Sequence, residues 1–127
     1  MSWPPKIGEP LPRGGDAYNV SEKLLDYSLN LEHRVGGPKA AGFLRILGIS
    51  AEDLDYLAET LLSAARELPV AEVRENEAHG IKCTVIVPVR GLGQRSERIA
   101  AVRTVWRIAE ESARPRLVTA FIEGKLA

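Results

Sequence analysis

Apolar residues in the first half of the chain recur at helical spacing, and in the second half they alternate. Leu24, Leu25, Ser28 and Leu29 form one stripe behind Ser21, a residue suited to an N-cap, so the spacing predicts a short helix over about 21–29. Gly36-Gly37 and then Pro38 open a second helix over about 38–47, with Ala40, Ala41, Phe43, Leu44 and Leu47 facing inward and Gly48 in the C-terminal cap position. Ser50 and Asp53 read as a capping box for a third helix over about 51–67, whose stripe is Leu54, Leu57, Leu61, Leu62, Ala64 and Ala65, and Pro69 ends it. Beyond Pro69 the period falls to two. Strands are expected around Val70 and Val73, at Ile81 to Val89, over 98–108 and over 116–122, with His79-Gly80, residues 91–94 and residues 110–115 as connections. The fold expected is α+β, with three helices followed by an antiparallel meander of about four strands covered by the helices on one face. Residues 1–17, rich in proline and glycine, read as an extended arm that Trp3 and Ile7 could tether, and residues 18–127 as one domain.

Charge changes this picture only through its distribution. The 17 basic and 17 acidic side chains cancel, which gives no overall argument for a nucleic-acid partner. Residues 81–127, however, hold nine Lys/Arg against four acids, a surplus of five that the first 80 residues balance, with eight acids against two arginines in 51–80. Arg34, Lys39 and Arg45 add a basic loop and helix beside the basic sheet. Such a molecule would orient a polyanion toward one face, although strand-exterior arginines with cross-strand partners produce the same count. No apolar run approaches the roughly 20 residues of a membrane span, and the single cysteine, Cys83, excludes an internal disulfide and argues against a thiolate zinc site. A cytoplasmic protein with no membrane partner is expected.

The chemistry-bearing motifs are sparse. GLGQR lacks the spacing of a phosphate-binding loop and joins two strands, no metal-ligand spacing occurs around His33 or His79, and no serine has an elbow and a base. Cys83 alternates with core residues and reads as a small buried hydrophobe. His33 stands out, because it lies in a polar glycine-containing connection with Arg34 beside it and Lys39 six residues on. An imidazole among fixed cations suits metal-free phosphodiester cleavage, in which a base takes the 2′-hydroxyl proton and cations hold the phosphorane. A loop histidine capping the backbone is the plainer alternative.

The segment LLDYSLNLEHRVGGPKAAGFLRILGI resembles a bacterial domain family of unknown function with the pattern L-x-D-Y-L-L-N-P-x-H-x-x-G-x-x-K-A-x-x-F-x-x-x-L-G, carried here by Leu25, Asp26, Tyr27, Leu29, Asn30, His33, Gly36, Lys39, Ala40, Phe43, Leu47 and Gly48. The resemblance continues in Gly80-x-Lys82, in Ala101 to Trp106 and in Arg116 to Ala120, and covers about residues 20–122, with Leu31 in place of the family's proline and a longer turn at 91–98. It implies a domain found alone and at the C-termini of polymorphic and contact-dependent toxins, similar to metal-independent ribonucleases of the barnase, EndoU, colicin and RelE type. What it implies for this chain is an active site of His33, Lys39, Arg103, Thr104, Arg116 and Thr119, with Tyr27 and Trp106 as supports or base-stacking groups; Arg34, beside His33, is expected to bind substrate with them, and no cofactor or metal is expected. His33 would be the general base or acid, Arg103 and Arg116 would hold the scissile phosphate, and a threonine would donate to it. The function expected on this basis is RNA cleavage to 2′,3′-cyclic phosphate ends, with RNA, tRNA included, as substrate and an immunity or antitoxin protein as partner. The alternatives are a non-catalytic module that binds RNA or an acidic protein through the same face, a nuclease relative without activity, and a purely structural accessory domain.

Overall fold

The alternation that begins after Pro69 builds a four-stranded antiparallel sheet in the computed structural model, which describes residues 3–76 and 80–126. Its strands are β1 (Glu72–Asn76), β2 (Gly80–Arg90), β3 (Ile99–Ile108) and β4 (Arg116–Lys125), in the meander order β1-β2-β3-β4. Thr84 pairs with Glu72 on one side and Val105 on the other, and Thr104 pairs with Val85 and Ala120. Two register shifts, between Ala101 and Val102 and between Val105 and Trp106, interrupt the β3–β4 ladder. His79 lies outside the described residues.

Period-two alternation gives each strand two faces. Cys83, Val85, Val87 and Val89 of β2 and Ala100, Val102, Thr104, Trp106 and Ile108 of β3 are buried on one of them. Three helices cover that face. The first, α1 (Val20–Lys23), runs into a wider π-type turn, Leu24–Ser28; the second, α2 (Gly37–Gly42), does the same through Phe43–Leu47; the third, α3 (Leu54–Glu67), follows a 3-10 turn at Ala51–Asp53. Leu24, Leu29, Phe43, Leu47, Leu57, Leu61 and Ala65 join the strand residues in one core. The expected fold class and the order of its elements are those observed.

Some local expectations are corrected. The N-cap position of the first helix is Asn19 and not Ser21, and it carries no side-chain cap bond: Asn19 takes a left-handed conformation, φ 65°, and its amide donates to Leu117 O at 3.1 Å. The wide turns rotate the stripes, so that Leu25 and Leu44 are 48% and 44% exposed and Ala41 also faces outward. Ser50 does form the capping box, accepting from Glu52 N while Asp53 accepts from Ser50 N. The described part of the arm is tied to the segment that follows α3: Gly8 N donates to Val70 O, Val70 N donates to Glu9 O, and Leu11 is buried in the core. Among the described residues no helix is long and apolar enough to cross a membrane.

Candidate functional site

Lys39 is the centre of the one cluster in which several of the expected site residues meet. It projects from α2, and its Nζ donates to Tyr27 Oη at 2.8 Å and to Thr119 Oγ1 at 3.0 Å. The same ammonium lies 4.6 Å from the Tyr27 ring centroid and 5.1 Å from that of Phe121. Thr119 and Phe121 pair with Val105 and Arg103, residues of the uncovered sheet face, so Lys39 reaches around the outer edge of β4 from the helical side. Lys23, four residues before Tyr27 and therefore on the same side of α1, stands 4.7 Å from the same ring. No carboxylate pairs with Lys39 among the described residues.

His33 packs edge-on against Tyr27, with ring centroids 4.8 Å apart. The N–H groups of Val35 and Gly36 donate to its Nδ1 at 3.0 and 2.9 Å. With Nδ1 accepting two N–H groups, the donor of the neutral ring is Nε2. The loop is drawn tight because Gly36 lies against the Tyr27 backbone: a Cβ there would collide with Tyr27 O. Arg34 is exposed beside it.

The remaining expected residues lie elsewhere. Thr104 and Trp106 are both 0% exposed; Thr104 Oγ1 donates to Val85 O at 2.7 Å and accepts from Trp106 Nε1 at 2.8 Å. They are core groups that no substrate can touch, which corrects their assignment to the site. Arg103 and Arg116 are on neighbouring strands as expected, but Arg103 pairs with Phe121 and Arg116 with Arg107. Four residues of strand separate the two positions on β3, about 13 Å, and no observed contact brings the two side chains together. Arg103 is instead held by carboxylates, donating to Glu123 at 2.7 Å and to Glu72 at 3.3 Å. The Glu123 bond, chiefly, pushes its pKa further up, and hydrogen bonds from Arg74 and then Arg103 hold Glu72 below the usual carboxylate range. Burial raises the Cys83 thiol to about 11. No group of three or more His, Cys, Asp or Glu that could hold a metal occurs among the described residues.

Lys23 and Phe121 were absent from the expected site. Both had a signal in the sequence: Lys23 is one helical turn before Tyr27, and Phe121 follows Thr119 at the strand period. A depression of about 300 Å³ on the uncovered face is lined by Glu72, Arg74, Lys82, Thr84, Arg103, Val105 and Phe121.

An α+β domain with a helix-covered meander and a cationic, aromatic-flanked sheet edge is thus the class that fold and site define. The chain belongs to the family described as a domain of unknown function, DUF6883, which it matches over residues 11–124. No match is found among curated proteins or among solved structures.

Proposed function

We propose that this domain is a binding module for single-stranded RNA, anchored by the Lys39 ammonium at the outer edge of β4. The observation that carries this reading is the surrounding of Lys39, which consists of two hydroxyls and two aromatic rings. An ammonium bonded to neutral oxygens keeps its whole charge for an anion, and a phosphate oxygen can take over either hydroxyl's place at Nζ. Tyr27 and Phe121 add ring faces, Lys23 adds a cation beside Tyr27, and Arg34 is exposed on the same loop as His33. Rings mixed with cations suit unpaired bases on a phosphate chain; an acidic peptide would use the cations alone.

A second reading, metal-independent RNA cleavage, is favoured by one observation: Tyr27, His33, Lys39 and Thr119, four residues of the expected site, lie around one point. Lys39 would hold the phosphate and His33 would move the proton. That role as a base requires the loop to withdraw the two N–H groups that occupy Nδ1. Binding requires no such rearrangement, and we prefer it.

The test is fluorescence anisotropy of a labelled single-stranded RNA in EDTA, with wild type and Lys39→Met, followed by end-group analysis of the RNA. Intact RNA bound by wild type, with roughly tenfold or greater loss for Lys39→Met, supports the module, since a hydrogen bond to a charged group contributes at least that much. Cyclic-phosphate fragments from wild type and none from His33→Ala would establish the nuclease instead. Absence of both binding and cleavage by folded wild type would end both readings.

A further inference from the structure

We propose that the RNA crosses the uncovered face of the sheet along a row of four cations, one from each strand, and ends with a base against Tyr18. This path rests on the RNA-binding reading and extends it to a surface beyond the Lys39 cluster.

The row follows from register. Arg74 of β1 pairs with Lys82 of β2, Lys82 with Arg107 of β3, and Arg107 with Arg116 of β4. Directly opposed residues share a face, and this face is the one without helices, because Cys83 and Trp106, their neighbours in the chain, are in the core. Three strand spacings make the row about 14 Å long. Like charges directly opposite one another destabilise a sheet where nothing compensates them; basic residues are opposed three times in succession along this row, with Arg74 bonded to Glu72 and Arg107 also engaged with a partner. Glu72 bonds Arg74 but divides its carboxylate with Arg103, and no carboxylate is within ion-pair distance of Lys82 or Arg116 among the described residues. A chain of phosphates running across the strands turns the same arrangement into a favourable one.

The two ends fit this ligand as well. Thr119, the hydroxyl bonded to Lys39, pairs with Val105, two residues along β3 from Arg107, so the Lys39 anchor is about 7 Å from the row at its β4 end. Beyond β4, Tyr18 forms a parallel bridge with Arg116 and is 39% exposed, and the Arg114 guanidinium lies 4.5 Å over its ring. Tyr18, Arg107, Arg114 and Arg116 line a depression of about 280 Å³. An unpaired base can stack there on the ring or on the guanidinium plane while its phosphate meets the arginines. An acidic peptide has no use for the ring.

The experiment is a salt titration of single-stranded RNA binding by the full chain, comparing wild type with Lys82→Gln/Arg116→Gln and, separately, with Tyr18→Leu. The double variant is expected to flatten the plot of log affinity against log salt by about 1.4, two phosphate contacts at roughly 0.7 each. Its melting temperature is expected at or above that of wild type, since two like-charge neighbours are relieved. Tyr18→Leu is expected to keep the slope and lose roughly fivefold or more in affinity, the low end for one stacked base. If wild type binds RNA and the double variant keeps the wild-type slope, the row is not the path. If wild type binds no RNA, the RNA reading itself has failed. If a polyglutamate peptide binds with a dependence on Lys82 and Arg116 that RNA lacks, the row serves a protein. Should the double variant melt below wild type, Lys82→Gln alone, at an exposed position near the start of β2, gives the same test with half the change in slope.

Discussion

The Thr104 hydroxyl bridges a strand carbonyl and an indole N–H inside the core, so its replacement is expected to cost stability and leave function untouched. Thr104→Val keeps the shape of the side chain and strands the Trp106 N–H without an acceptor, a loss of about 1–3 kcal/mol. Thr104→Ser keeps both bonds and gives up one methyl, about 0.8 kcal/mol. Urea unfolding should rank Val below Ser, while RNA affinity per folded molecule stays at the wild-type level in both. A fall in affinity with unchanged stability would return Thr104 to the site. Lys39 differs from Thr104 in what surrounds it: its polar partners are Thr119 on β4 and Tyr27 on the turn after α1, both only partly buried, where a ligand can compete for them. His33 is intermediate, with one ring nitrogen committed to the loop backbone and the other facing away from it.

Helices and strands were legible because each buries one face, and the change of period near Pro69 marks where α gives way to β. What was not legible depends on contacts distant in sequence. The helix has its N-cap at Asn19, two residues before Ser21, where the Asn19 amide ties the chain to a carbonyl of β4, 98 residues away. The wide turns that expose Leu25 and Leu44 leave no local pattern, since an extra residue per turn merely shifts the stripe. The same holds for the site. The segment from Tyr27 to Lys39 is a local unit and was readable as one, and Thr119 joined it through the helix-to-β4 packing. The separation of Arg103 from Arg116 is a matter of register, which alternation alone does not fix. Gly42 gives a test at this scale. It ends α2 with negative φ, and a Cβ there would meet nothing within 4 Å. Gly42→Ala is expected to stabilise the domain by roughly 0.5–1 kcal/mol, seen as a higher urea midpoint, by limiting the unfolded chain and favouring the helix. A lower midpoint would mean that the turn from Gly42 into Phe43–Leu47 needs the freedom of glycine.

Across the whole molecule, the zero net charge hides a division between an acidic segment, 51–80, and a basic sheet, and Glu72 sits where the two meet. Its carboxylate is the acid shared by Arg74 and Arg103, and it stands next to the row of cations. Because those arginines lower its pKa in the folded state, its contribution to stability is complete above the unfolded carboxylate pKa and is lost as pH falls through the lower folded value. RNA binding should respond in the opposite direction. Protonating Glu72 removes a negative charge from the uncovered face and frees part of Arg74 and Arg103, so affinity rises over the same acidic range in which stability falls. Glu72→Gln should reproduce both effects at neutral pH: a lower urea midpoint, and RNA binding tighter on the order of fivefold, as expected for one unit charge at contact range in water. Arg103 keeps Glu123 throughout, so the released charge comes mainly through Arg74, at the β1 end of the row. If Glu72→Gln loses stability and its RNA affinity is unchanged or weaker, phosphate does not approach the β1 end. The path would then be confined to Lys82, Arg107 and Arg116.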